Sequence, residues 1–156
     1  VGTRRAAADR RRAREFETFT AGAAGRLLHV AALLTGENPT HCPAAERLLT
    51  AALADTYAAW DTLRGEDPYA CARTALAARF GASSWRHRRP RGGVLTRLGT
   101  RERLVLVLRL HEGLGEDQTA ATLDLPPDRV RALYAHALST MRSRPVPAPH
   151  VDGAAR

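Results

Sequence analysis

Apolar residues recur along this chain mostly at the three-to-four-residue spacing of amphipathic helices, and the interruptions mark where the helices stop. Glu15 to Thr35 carries Phe16, Phe19, Leu27, Leu28, Ala31 and Leu34 at such spacing. Gly22 and Gly25 interrupt it, which predicts two helices or one broken one. Gly36 supplies a C-terminal stop, and Glu37 to Pro43 reads as a loop whose proline suits the first turn of the next helix. From about Ala44 to Leu63 the residues Leu48, Leu49, Ala52, Leu53, Thr56, Tyr57 and Trp60 share one face. Asp67 and Pro68 form an N-cap and first-turn pair, opening a helix through Tyr69, Ala72, Ala75, Leu76, Ala77 and Phe80 toward Trp85, with Gly81 weakening its second half. After a break, Arg101 to Gly113 reads as an apolar helix ended by its glycine.

Gly115 to Leu138 then reads as two short helices joined by a turn. Ala120, Leu123, Leu125, Val130 and Leu133 stand at the offsets where a helix-turn-helix buries small or branched side chains. Asp124 takes the turn position usually given to glycine, and aspartate is among the few residues that tolerate a left-handed backbone. Pro126 and Pro127 stop the first helix and start the second, predicted from Asp128 to about Met141. That second helix would expose Arg129, Arg131, Ala132, Tyr134 and Ala135 where such helices meet the major groove. The two arginines could read guanine edges or clamp phosphates, and the tyrosine could pack on a sugar or a thymine methyl; the alternative is a solvated face on a packing helix. Asp128 favours the helix dipole but repels phosphate.

Charge changes the picture by its position. All 24 basic residues are arginine, and the net charge of +8 points to a polyanionic partner. From Arg86 to Arg103 seven arginines face one acid, whereas Leu104 to Arg142 holds four arginines against five acids. The positive charge is therefore concentrated in a connector that includes Arg86, Arg88 and Arg89, and the second helical unit is nearly neutral. Arg4 to Arg14 adds a basic arm, read either as a frayed helix or as a solvated tail. Cys42 and Cys71 lie in different predicted helices without ligand spacing to histidines, which predicts reduced thiols and no metal site. No segment has the form of a signal peptide or approaches the roughly 18 apolar residues of a membrane span, so a soluble, cytoplasmic protein is expected. A catalytic role finds no support: there is no Gly-rich loop after a strand, no metal motif and no nucleophile with its base, and no cofactor is expected.

In order and spacing, FETFTAGAAGRLLHVAALLTG, AERLLTAALADTYAAW and DPYACARTALAARF resemble the promoter-melting domain of extracytoplasmic-function (ECF) sigma factors of the sigma-70 family, particularly the actinobacterial SigE-like group. RERLVLVLRLHEGL followed by EDQTAATLDLPPDRVRALYAHALSTMR resembles the sigma domain that binds the minus-thirty-five element. The resemblance spans about Glu15 to Arg142. It implies an all-α protein of two small helical domains, residues 15–85 and 98–142, joined by a short basic linker at 86–97. A basic N-terminal arm at 1–14 and a disordered tail at 143–156 flank them. Promoter DNA, core RNA polymerase and an anti-sigma or other regulatory protein are the implied partners.

The departures from the family pattern fall on the functional positions. Where the family's polymerase-docking helix reads like Glu-Asp-Leu-Val-Gln-Glu-Ala-Leu, this chain has Glu46, Arg47, Leu48, Leu49, Thr50, Ala51, Ala52 and Leu53. Its docking residues are therefore expected at Glu46, Arg47, Leu49, Thr50 and Leu53, with Arg47 reversing a charge that would face an arginine-rich clamp. The asparagine that reads the minus-ten element aligns near Ala78, and paired tryptophans shrink to Trp85 behind Ser83 and Ser84. The family's Gly-Thr-Val-Lys-Ser in the recognition helix becomes Asp128, Arg129, Val130, Arg131 and Ala132. Two functions follow: a working ECF sigma factor, or a sigma-like regulator that has lost most polymerase docking and acts through a protein partner or directly on DNA.

Overall fold

The computed structural model describes residues 2–63, 65–83 and 94–143. Six α-helices occur among the described residues: α1 (Gly2–Thr35), α2 (Pro43–Ala58), α3 (Pro68–Ser83), α4 (Thr100–Leu106), α5 (Glu116–Leu123) and α6 (Pro127–Arg142). No strand occurs among them, as expected of an all-α fold. Arg86, Arg88, Arg89, Trp85 and the tail from residue 144 lie outside the described residues.

Two local expectations change. Of the two readings of the basic arm it is the helical one that appears, and the predicted break at the glycines does not, because α1 runs unbroken for 34 residues. Glycine costs a helix only about 1 kcal/mol, and the contacts on either side of Gly22 and Gly25 outweigh that. Phe16 and Phe19 pack with Tyr57 and Trp60, with ring centroids 4.9–5.9 Å apart. Arg12 lies over the Tyr57 ring, pairs with Asp61 at 3.0 Å and donates to the Tyr57 carbonyl. The second change is at the end of α2, which stops at Ala58 and gives way to a tighter turn over Trp60–Thr62. Other termini follow the sequence: Gly36 closes α1 at φ 74°, and Asp67 accepts from the Tyr69 N–H at 3.0 Å. Glu37 caps α2, accepting from the N–H groups of Ala44 and Ala45 at 3.2 and 2.7 Å.

The larger difference is that the two helical units share a core. Leu104 and Val107 are buried in the same cluster as Val30, Leu34, Leu48, Leu76 and Phe80. Arg103, itself buried, donates to the carbonyl of Leu34 at the end of α1 at 2.7 Å and to that of Leu98 at 3.3 Å. It thereby satisfies a helix-terminal carbonyl that has no partner within its own helix. Burial in the absence of a carboxylate partner pushes its pKa below the usual arginine value.

The second tie is Glu112. After α4 the chain takes one wider turn over Val107–His111, in which the Glu112 N–H donates to the Val107 carbonyl at 3.1 Å. In a regular helix, eight residues would carry position 112 about 80° past Leu104. The wider turn holds it back toward the first unit and leaves Leu110 60% exposed. The Glu112 side chain is 0% exposed and meets Arg26 at 3.3 Å, Arg73 at 3.2 Å and the Tyr69 hydroxyl, which donates at 3.1 Å. His111 stacks on His29 beside it at 5.0 Å.

Removing Glu112 leaves Arg73, 13% exposed, without its partner, while Arg26, 58% exposed, returns to water; the loss should sit near the lower end of the range for a broken buried pair, about 3 kcal/mol. Glu112→Ala should lower the unfolding free energy by about that amount in urea titrations, with Glu112→Gln less severe. A change under about 1 kcal/mol would show that the cluster does not hold the units together. Tyr69 offers a check by pH. Burial, and then the Glu112 carboxylate, push its phenol from 10.0 up to about 12. The folded protein therefore keeps a proton that the unfolded chain loses, so this stability is intact below pH 10.0 and falls as pH rises toward about 12. Tyr69→Phe should flatten that part of the pH profile of Tm.

Candidate nucleic-acid interface

α5 and α6 form the predicted helix-turn-helix. Asp124 adopts the left-handed conformation expected of it, at φ 51° and ψ 50°, and the Leu125 N–H returns to the Ala120 carbonyl at 3.0 Å. Pro126 stands at the N-cap of α6 and Pro127 in its first turn. Val105, Ala120, Val130 and Leu133 make the buried centre, with Leu123, Leu125 and Tyr134 packed against it. A backbone bond from Gly115 N–H to the Gln118 side chain at 3.0 Å closes the start of α5. The turn at Val94–Arg97, expected within the linker, belongs to this unit. Leu95 packs against the cluster of Leu98, Leu106 and Ala137, and Arg97 donates to the Ser143 carbonyl at 2.7 Å.

The five residues predicted to face DNA separate into two groups. Arg129, Arg131, Ala132 and Ala135 are exposed on one side of α6. Tyr134 is half-buried, its ring packed against both C-terminal clusters and covered by the Arg109 guanidinium at 5.0 Å from its centre. It supports the helix from behind, because a ring on the edge of so small a core is held by its apolar surface.

Electrostatics separate the two arginines. Arg131 pairs with Glu116 at 2.7 Å and with Asp128 at 3.0 Å. Hydrogen bonding to Glu116, then the charges of Glu116 and Asp128, raise its pKa above the usual arginine value. Arg129 is exposed and makes no ion pair among the described residues. Sequence spacing reveals only part of this difference: Asp128 stands three residues before Arg131 on the same helix, whereas Glu116 reaches it from the neighbouring helix, 15 residues away.

The docking positions are likewise divided. Glu46, Arg47 and Thr50 are exposed on α2. Leu49 is 8% exposed and packs with Ala23, Leu27 and Ala72, and Leu53 is half-buried against the same cluster. Contrary to the expectation for those two positions, the apolar half of the octapeptide binds α2 to its neighbours instead of facing outward. On α3, Ala78 lies with Ala77 and Gly81 along a cleft of about 480 Å³ whose other wall is Leu104 and the Thr122–Leu125 turn. The position aligned with minus-ten reading is exposed and stands between this cleft and a second groove beside Asp55, Cys71 and Thr74.

Both cysteines are free, and burial pushes both thiols up, with Glu46 and Glu37 adding to the effect at Cys42 and Glu66 at Cys71. No group of side chains that could hold a metal ion occurs among the described residues. No helix among them is long and apolar enough to cross a membrane.

Residues 94–143 match the family described as Sigma-70, region 4. No curated protein sequence matches the chain. Among solved structures, the anti-anti-sigma factor PhyR complexed with the anti-sigma factor NepR, from Bartonella quintana, superposes with a TM-score of 0.60 at 18% identity. The superposition covers 80% of this chain, so the likeness in fold extends well in front of the matched C-terminal segment. The chain spans about half of that structure, 48% of its length.

The pairing of Arg131 sets an order for the two arginines. Arg129→Ala should weaken binding of a duplex fragment in fluorescence anisotropy several-fold, and Arg131→Ala should weaken it less, because Arg131 is already held by Glu116 and Asp128 and contributes the smaller share of phosphate contact. The reverse order would mean that Arg131 leaves its acids to bind DNA.

Proposed function

We propose that this chain, whose C-terminal third matches sigma-70 region 4, is a sigma-like transcription regulator that works in a closed form, through a protein partner or directly on DNA. The shared core is the observation that carries this reading. A working sigma factor places its first domain at the minus-ten element and its helix-turn-helix at the minus-thirty-five element. These sites are about 25 base pairs apart, roughly 85 Å at 3.4 Å per pair. The longest helix here, of 34 residues, is about 51 Å, and the helix-turn-helix unit packs against its C-terminal half through Leu34 and Arg26. Spanning both elements would require withdrawing Leu104 and Val107 from the core and exposing Glu112.

Three further features favour the same reading. The docking face of α2 presents Arg47 where an acid would suit a basic clamp, and Leu49 is buried. The exposed Ala78 borders a cleft whose far wall is the helix-turn-helix turn, so the surface aligned with promoter melting has that unit along one edge. The solved neighbour is described in complex with an anti-sigma factor, which makes that class of protein the first partner to test. The DNA-facing side of α6 stays exposed in the closed form, so promoter binding and closure are compatible.

The finer reading, an ECF sigma factor of the SigE-like group active with polymerase, is favoured by the intact helix-turn-helix and the free Arg129. It requires opening. Affinity capture of core RNA polymerase followed by run-off transcription separates the two. We expect neither stable capture nor promoter-specific transcript with the wild-type chain; capture with transcript would establish sigma activity. Glu112→Ala, assayed alongside, should raise capture if closure alone prevents it.

A further inference from the structure

We infer that the outward face of the first turns of α1 is a second nucleic-acid-binding surface, shaped for the phosphates of double-stranded DNA and separate from the helix-turn-helix. α1 is helical from Gly2, and residues 2–11 are all exposed. The side of α1 that meets the protein is defined by Arg12, Phe16, Phe19, Ala23, Leu27 and Val30. At 100° per residue, Arg4, Arg10, Arg11 and Arg14 fall within an arc of about 120° on the opposite side. Arg4, Arg10 and Arg14 make no ion pair among the described residues, and Arg11 has only an exposed contact with Glu15 at 3.5 Å. Glu15 and Glu17 flank the arc, and Asp9 lies on the far side of the helix from it.

Four arginines aligned this way in a solvated segment would ordinarily be mobile, and a ligand would have to order them. Here the aromatic cluster and the Arg12–Asp61 pair fix the direction of the helix, so the backbone that carries the arginine row is set before a ligand arrives. Arg4 to Arg14 spans about 15 Å, along which a duplex presents roughly nine phosphate charges. The chemistry of the face selects the polyanion. Beside the arginines the same arc holds Ala7, Thr18, Ala21, Gly22 and Gly25, and a Cβ added at either glycine would meet nothing within 4 Å. With no large apolar side chain there to enter a lipid boundary, the face is unlike that of a membrane-surface helix. Arginines on a smooth, open face suit a phosphate backbone. The surface also supplies what the recognition helix lacks, since Arg131 is already neutralised by Glu116 and Asp128.

The test uses the full chain and a labelled 25-base-pair duplex of arbitrary sequence, with anisotropy measured from about 50 to 200 mM KCl. Replacing Arg4, Arg10, Arg11 and Arg14 together by Gln should reduce the slope of log K against log salt by about 3–4, from about 0.9 per phosphate contact. The corresponding replacement by Lys should keep the slope to within about one contact. A slope that changes by less than one in the Gln variant, with its circular dichroism unaltered, overturns the inference. So does tighter binding of the wild-type chain to phosphatidylserine vesicles than to the duplex, if the Gln variant abolishes it. Arg129→Ala, on α6 of the C-terminal unit, reports on the helix-turn-helix separately, so failure of one surface is distinguishable from failure of the other.

Discussion

A buried carboxylate organises this molecule. Glu112 sits where α4 ends in its wider turn, and its fully buried oxygens meet Arg26 from α1 and Arg73 and Tyr69 from α3. A charge removed from water is tolerated only when its partners are fixed around it, so the position of the C-terminal unit against the first three helices is tightly specified. Leu104 and Val107 supply the apolar contact and Arg103 satisfies the end of α1, but those groups would accept small shifts in packing. The Glu112 cluster would not, because the carboxylate is wholly out of water and Arg73, 13% exposed, would lose its partner, whereas Arg26, 58% exposed, could turn to solvent.

The shared core bears on both candidate surfaces. It places the turn of the helix-turn-helix beside Ala78, on the surface that in a sigma factor would approach the minus-ten element. It leaves the outer side of α6 open. A helix-turn-helix with one free and one compensated arginine is a weak electrostatic anchor by itself. Supplementary contacts, from another surface of the same chain or from a partner protein, would then govern its residence on DNA. The sigma-70 region 4 match covers residues 94–143, and the fold likeness extends beyond it into the first three helices.

Much of the local structure was legible in the residues. The spacing of Leu48, Leu49, Ala52 and Thr56 gave α2, Asp67–Pro68 opened α3, Gly36 and Gly113 closed their helices at φ 74° and 70°, and Asp124 marked the left-handed turn. These features depend on interactions within a few residues, which the order of side chains encodes directly. The break expected at Gly22 and Gly25 did not occur, since glycine propensity is weak beside the contacts that Phe16, Phe19 and Leu27 make with other helices. Of the site, the exposed side of α6 was legible from helical periodicity, whereas the state of its arginines was legible only in part.

By itself, then, the sequence determined the all-α class, the helix ends, the helix-turn-helix and the abundance of arginine, because propensity, capping and periodicity act over short spans of chain. Tertiary structure decided which charges remain available. Glu116 reaches Arg131 across 15 residues and Glu112 reaches Arg26 across 86, distances at which no periodicity relates two side chains. It also decided that two units with separate sequence signatures fold around one core. Leu104 and Val107 read as ordinary helix-core positions, and only the approach of α1, α2 and α3 shows against which surface they are buried.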